Sequence, residues 1–346
     1  MESISPGTKA RSIKRLSPLL AAAVLCAGVQ PALASGGQNP RASDPNPLLG
    51  QWWWDQHTKW NLTWRGYRAA LHAGRTANAR KLLVLAQTPQ FRWWGRWEHP
   101  ITSKLRRTFA LMDQEAPGQV PLIAVRALDH SRCGGGFSAG GAAGDAAYRR
   151  WIRGFARGIG DREAVIAYEP DALGTVRCLR PGRRGARMRL LAYGVKVLSK
   201  LPRATVYIDA EASDWEGART VARKLKRVGV RRVRGFVLNA THQATTRSSI
   251  RFGLAVSRRV GRKHFIVNTS HNGNGPDNRL PYGRRWCNPP NAAAGALPTT
   301  TTAHPLVDAY LWVERPGFSN GTCNGGPKTG AWWEKRAVQM VDRARW

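Results

Sequence analysis

Two kinds of apolar pattern alternate along most of the chain. Short uninterrupted runs rich in Val, Ile and Leu recur as KLLVLAQ (81–87), VPLIAVRAL (120–128), AVIAYEPD (164–171), TVYIDAE (205–211), GFVLNAT (235–241), HFIVNTS (264–270) and AYLWVERPG (309–317). Each has the length and β-branched content of a strand buried on both faces. Between them lie segments with apolar residues three and four apart, as in DAAYRRWIRGFARGIG (145–160), RMRLLAYGVKVLSK (187–200), ARTVARKLKRVGV (218–230) and TTRSSIRFGLAVSRRVG (245–261). That spacing is helical. The alternation predicts an α/β fold with a parallel sheet, and about seven units favour a barrel over the alternative, an open doubly wound sheet.

The first residues stand outside this pattern. Lys9, Arg11, Lys14 and Arg15 precede the apolar run LLAAAVLCAGV, and ALAS offers a small-residue cleavage site after Ala34. This is the layout of a secretory signal over residues 1–34, and the run is short of the ~20 residues that a membrane span needs. SGGQNPRASDPN (35–46) reads as a flexible lead-in, and residues 47–346, without a second linker, as one domain. Export suits the cysteines. With Cys26 in the signal, Cys133, Cys178, Cys287 and Cys323 remain, and their spacing matches no zinc pattern. Of three possible connectivities, Cys133–Cys178 and Cys287–Cys323 close local loops and are expected.

Charge changes the picture further. Lys and Arg number 55 against 21 Asp and Glu, a formal net charge of +34. Such a balance invites a nucleic-acid reading. Export, disulfides and a barrel weigh against it. Scarce acids are informative where they cluster: Asp129, Glu169, Asp171, Asp209, Glu211 and Glu314, with Asn239 and Asn268, all follow or close an apolar run. In a β/α barrel those carboxyl ends face the active site. Any one carboxylate could be a helix cap or an ion pair, but six together point to a cleft that uses them. The chain also holds 15 Trp, many in WWWDQHTKW, FRWWGRW, DWEG, RRWC and GAWW, where an indole face can stack on a sugar ring. Core packing claims a large share of them.

With these segments in order, the chain resembles glycoside hydrolase family 6, the inverting β-1,4-glucanases and cellobiohydrolases. The resemblance runs through NPLLGQWWWD, AQTPQFRWWGRW, CGGGFSAGG, IAYEPDALG, YIDAEASDW, GFVLNATH, NTSHNGNGP, RRWCNP, PLVDAYLWVERPG and GAWW. It implies a distorted β/α barrel with a sugar cleft over its carboxyl end, and it places the four cysteines at the family's two disulfides. Residue by residue, Asp171 matches the general acid and Asp209 a supporting acid. Trp93, Trp215 and Trp286 match sugar-stacking positions, Ser138 a loop serine near the scissile bond, and Asn239 a polar substrate contact. A β-glucan is the implied partner, met in an open cleft of endo type. No metal, cofactor, nucleic acid or membrane insertion is expected, and a monomer is.

A general acid must hold a proton, and burial of Asp171 beside Glu169 is expected to raise its pKa through desolvation and like-charge repulsion. Inversion needs a second carboxylate roughly 6.5–9.5 Å away to activate water. Here the chain departs from the family it resembles. The family's Lys, Glu and Asp after the last strand read Glu314, Phe318 and Asn320; the last is its base position. Arg132 stands for an Asp, Arg126 for a Tyr and Asn268 for an Asp. Three candidates for a replacement base follow, Asp129, Glu211 and Glu314, with Glu314 favoured beside Asn320; Glu314 and Phe318 also fall at substrate-contact positions. The alternative is a carbohydrate-binding protein of the same fold that has lost hydrolysis.

Overall fold

The computed structural model describes residues 44–128 and 144–346. The expected signal and most of the expected lead-in, together with Asp129, Arg132, Cys133 and Ser138, lie outside the described residues, and so does the expected Cys133–Cys178 pairing.

Within Ser35–Trp346, two helices come first, α1 (Leu62–His72) and α2 (Thr76–Gln87). Strands and helices then alternate: β1 (Arg92–Gly95), α3 (Ile101–Glu115), β2 (Leu122–Arg126), α4 (Asp145–Ile159), β3 (Ala164–Tyr168), α5 (Pro181–Leu198), β4 (Ala204–Asp209), α6 (Ala218–Val228), β5 (Gly235–Leu238), α7 (Thr246–Ser257), β6 (His264–Asn268), β7 (Val307–Leu311) and α8 (Glu334–Asp342). The seven strands pair in parallel in sequence order. The sheet curls until its edges meet at one parallel bridge, Gln90 with Trp312, where the Phe91 N–H donates to the Trp312 carbonyl at 2.9 Å.

One expected strand is a helix. KLLVLAQ forms the end of α2, because Ala79, Leu82, Leu85 and Ala86 fall three and four apart and bury one face against Ala70 of α1, Trp312 and Ala337. Five apolar residues in a row, 82–86, hide that period. The first strand is the short RWWG that follows.

Alternation along each strand sorts the apolar runs into two cores. Leu122, Ala124, Val165, Ala167, Tyr207, Val237, Ile266, Ala309 and Leu311 fill the barrel. Their neighbours Ile123, Val125, Ile166, Tyr168, Val206, Ile208, Phe236, Leu238, Phe265 and Val267 face the helices. Continuing the inward parity by one step at the carboxyl ends reaches Arg126, Glu169, Asp209, Asn239 and Asn268. The scarce polar residues therefore crown the barrel interior, and each is buried.

The amino end is closed differently. Pairing jumps from Phe265–Val307 to Ile266–Ala309, so Asp308 is the extra residue of a bulge. It receives a bidentate Arg234 (Nε and Nη2, both 2.9 Å), the Tyr207 hydroxyl at 2.7 Å and His264 Nδ1 at 2.9 Å. Arg234 Nη1 also donates to the Asp44 carbonyl and Asn46 Nδ2 to the Asp308 carbonyl, which ties down the end of the lead-in.

Candidate active site

Four residues at the carboxyl ends adopt left-handed backbone: Glu169 (φ 54°), Asp171 (φ 68°), Glu211 (φ 67°) and Asn239 (φ 64°). Each costs on the order of 1 kcal/mol or more for a residue with a Cβ. The sharp turns they make bring side chains from successive strand ends back over the barrel.

Asp171 comes from the turn after β3. Its carboxylate accepts Arg126 Nη1 at 2.7 Å and the Thr241 hydroxyl, and Arg126 Nη1 also donates to the Pro170 carbonyl at 2.9 Å. The two strand ends are neighbours in register, Val125 opposite Tyr168, which sets Arg126 beside the turn after β3 that carries Asp171. This corrects the expected company of Asp171. Glu169 turns to the amides of Ala127 and Leu128 (3.1 and 3.2 Å), and a guanidinium, rather than Glu169, faces Asp171. Burial nonetheless pushes Glu169 up to about 7, against those two amide bonds and the charges of Arg187 and Arg126.

Asp209 sits under the acid. Its Oδ2 accepts the Asp171 N–H at 3.0 Å and the Glu211 N–H at 3.2 Å, so it holds the turn that presents Asp171. Burial, then the charge of Asp171, raise its pKa well above the carboxylate range. Glu211, one of the three base candidates, is committed elsewhere: Lys224 Nζ lies 3.0 Å from it and 2.6 Å from Glu216.

Glu314 follows β7 and is 7% exposed. Burial raises it to about 7, helped by Asp171, while a hydrogen bond from Asn320 and the charges of His242 and Arg126 oppose. Asn320 Nδ2 donates to Glu314 Oε1. His271 Nδ1 is 3.6 Å from Oε2, but burial, then Arg336, depress that imidazole to about 3, so it is neutral. Asn320 is itself placed by the Cys287–Cys323 disulfide, which joins the loops on which Asn288 and Asn320 bond each other (2.9 and 3.3 Å).

Asp171, Glu314, Phe318 and Asn320 open together into one cavity of about 340 Å³, with Trp93, Trp97 and Trp286 on its walls and Arg126, Thr241 and Arg315 among its polar groups. That volume suits a sugar-sized ligand. Trp215 and Asn239 are placed otherwise. Trp215 stacks on His242 (4.9 Å, 17°) and lies over Gly174, where a Cβ would come within 2.6 Å of the ring. His242 is in turn held by Asp214 at 3.1 Å; burial lowers its pKa, but Asp214, Asp171 and Glu314 outweigh this and raise it. Asn239 is fully buried, its amide bonded to Ala244 and to the Asn268 carbonyl, so it offers the cleft no surface. Asn268 likewise ties Asn239, Ser270 and Val313 together. Thr241, His242, Trp97 and Arg315 were not singled out from the sequence. Thr241 carried a signal, being two residues past Asn239 at the close of an apolar run, the same offset as Asp171 has from Glu169.

A parallel β/α barrel with carboxylates and indoles around one cleft at its carboxyl end defines a carbohydrate-active architecture. Among the described residues no group of His, Cys, Asp and Glu side chains is arranged to hold a metal ion. Residues 49–344 match the profile of glycosyl hydrolases family 6, and the chain belongs to that family. It is 37% identical over 284 residues to endoglucanase A of Cellulomonas fimi, covering 82% of this chain and 60% of that protein. Endoglucanase 1 of Streptomyces halstedii is 32% identical over 336 residues, covering 95% of this chain and 98% of the relative. The solved endoglucanase Cel6 of Mycobacterium tuberculosis, in complex with methyl-cellobiosyl-4-deoxy-4-thio-β-D-cellobioside, superposes with a TM-score of 0.77 at 37% identity, covering 86% of this chain and 99% of that one.

Proposed function

We propose that the chain is an exported β-1,4-glucanase that hydrolyses its substrate with inversion, Asp171 protonating the leaving oxygen and Glu314 activating the water. The observation that carries this reading is that both carboxylates open into one cavity walled by tryptophans. Glu314 has a base's requirements: it is buried, oriented by Asn320 and poised near neutrality, where proton transfer is most effective. In the reaction Asp171 gives its proton to the glycosidic oxygen as the C1–O bond breaks. Water adds to C1 from the opposite face and Glu314 takes the water's proton. The Arg126–Asp171 ion pair must open before the Asp171 carboxyl can reach the glycosidic oxygen. Trp93, Trp286 and Phe318 supply the stacking surface, and Asp209 keeps the Asp171 turn in place. Export is supported by the basic, apolar, small-residue layout of residues 1–34 and by the Cys287–Cys323 disulfide.

The same ion pair favours a second reading, a carbohydrate-binding protein that no longer hydrolyses. Reducing-end release from a neutral β-1,4-glucan separates the two. The glucanase reading expects release by the wild type and loss in Asp171→Asn. Binding without release by either protein leaves the second reading standing.

A further inference from the structure

The cavity that holds Asp171 continues into a second one, of about 280 Å³, and the two share Trp93, Trp97, Arg315 and Phe318. Three guanidiniums line this continuous cleft, and two have carboxylate partners: Arg126 with Asp171 (2.7 Å) and Arg92 with Glu98 (3.8 Å). Arg315 has none within ion-pair distance among the described residues. Its guanidinium lies on the Phe318 ring, 3.8 Å from the centroid. Glu98 also takes Lys104 at 3.0 Å, and Asp55 accepts the His57 N–H. Burial, then the like charge of Arg92, lower Arg315 to about 10 against the opposing charge of Glu314, so it remains a cation at neutral pH.

Resting on the glucan-cleft reading, we propose that Arg315 is an anion-recognition residue and that the substrate is an acidic β-1,4-glycan bearing a carboxylate on its sugars. A guanidinium with one face on an aromatic ring keeps its edge for coplanar, bidentate contact, the geometry that a carboxylate matches. Neutral glucose units offer hydroxyls, which leave the positive charge unanswered. Arg315 stands where the two cavities join, so the acidic unit lies beside the one being cleaved rather than at the scissile bond.

The test compares cellopentaose with the same oligosaccharide oxidised at C6 to carboxylates. Binding is measured by calorimetry at low and at physiological salt, for the wild type, Arg315→Gln and Arg315→Lys. The wild type is expected to bind the oxidised form at least about tenfold more tightly, with the advantage shrinking as salt rises. In Arg315→Gln the ratio falls toward one, and Arg315→Lys, a point charge without the planar fork, keeps part of it. Equal wild-type affinity for both sugars overturns the proposal, as does an undiminished preference in a folded Arg315→Gln. Binding decides the matter whether or not either sugar is cleaved, so failure of the glucanase reading shows separately, as absence of reducing-end release.

Discussion

At the amino end of the barrel, buried Asp308 is answered by Arg234, Tyr207 and His264; at the carboxyl end Asp209 and Glu314 are buried with no Lys or Arg within ion-pair distance among the described residues, and Glu169 leans chiefly on two backbone amides. The consequence for ionisation is opposite. Burial alone would raise Asp308, yet the hydrogen bonds and charges of Arg234 and His264 outweigh it and lower its pKa. Glu169 and Glu314 are instead pushed up to about 7 and Asp209 higher than its ordinary value. One end thus spends its charges on holding the fold, whereas the other keeps carboxylates in states that favour proton transfer. Four of the eight left-handed non-glycine residues among the described residues stand at the carboxyl ends of β3, β4 and β5, against one, Arg262, just ahead of the amino end of β6.

The largest effect should come from breaking the answered end. Arg234→Met leaves Asp308 charged and buried, and should cost about 3–5 kcal/mol in urea unfolding while activity per folded molecule is kept. A loss under about 1 kcal/mol would mean that the Asp308 cluster does not hold the fold. At the other end the balance should invert. Asp171→Asn should lower kcat on a neutral glucan by roughly a hundredfold or more, with unfolding free energy within about 1 kcal/mol of wild type.

Glu314→Gln sharpens the contrast through pH. A carboxyl whose folded pKa is raised binds its proton more tightly folded than unfolded, so its contribution is fully present below about 4.5 and is lost as pH rises through about 7. The variant should match wild type near pH 4 and exceed it by about 3 kcal/mol at pH 8. In wild type, kcat/KM should climb through pH about 7 as Glu314 loses its proton, and the variant should lack that limb. An unchanged profile removes Glu314 as base. The smallest expected change is a gain. Arg126→Tyr abolishes the ion pair on Asp171 and should raise kcat at neutral pH by roughly tenfold, about 1.4 kcal/mol of barrier; no gain, with hydrolysis intact, would show that opening the pair does not limit the reaction.

Much of this was legible in the sequence because both-face burial leaves unbroken apolar runs, and because acids so rare in a basic chain stand out where those runs stop. Asp171 and Glu314 could be located that way, Trp93, Trp286 and Asn320 through the family resemblance, and the five meet in one cavity. KLLVLAQ could not be assigned, since a helix whose exposed face is also partly apolar loses its period. Nor could the Arg126–Asp171 pair, which depends on two strand ends being in register and turning together. The Arg234–Asp308 pair spans 74 residues and exists because a bulge turns one aspartate inward. Neither contact leaves a local trace in the chain.

The indole of Trp93 also matters mechanically. Its Nε1–H donates to the Val313 carbonyl at 2.8 Å, across the seam where the first and last strands otherwise meet at a single bridge. The proposed sugar platform is thus a rivet between the two free edges of the barrel, and Glu314 and Arg315 stand on the far lip of that joint. Removing the ring with Ala would strip the platform and loosen the joint at once. Trp93→Phe keeps a stacking face but withdraws the rivet, so it isolates how far the width of the cleft is set by a side chain on its wall.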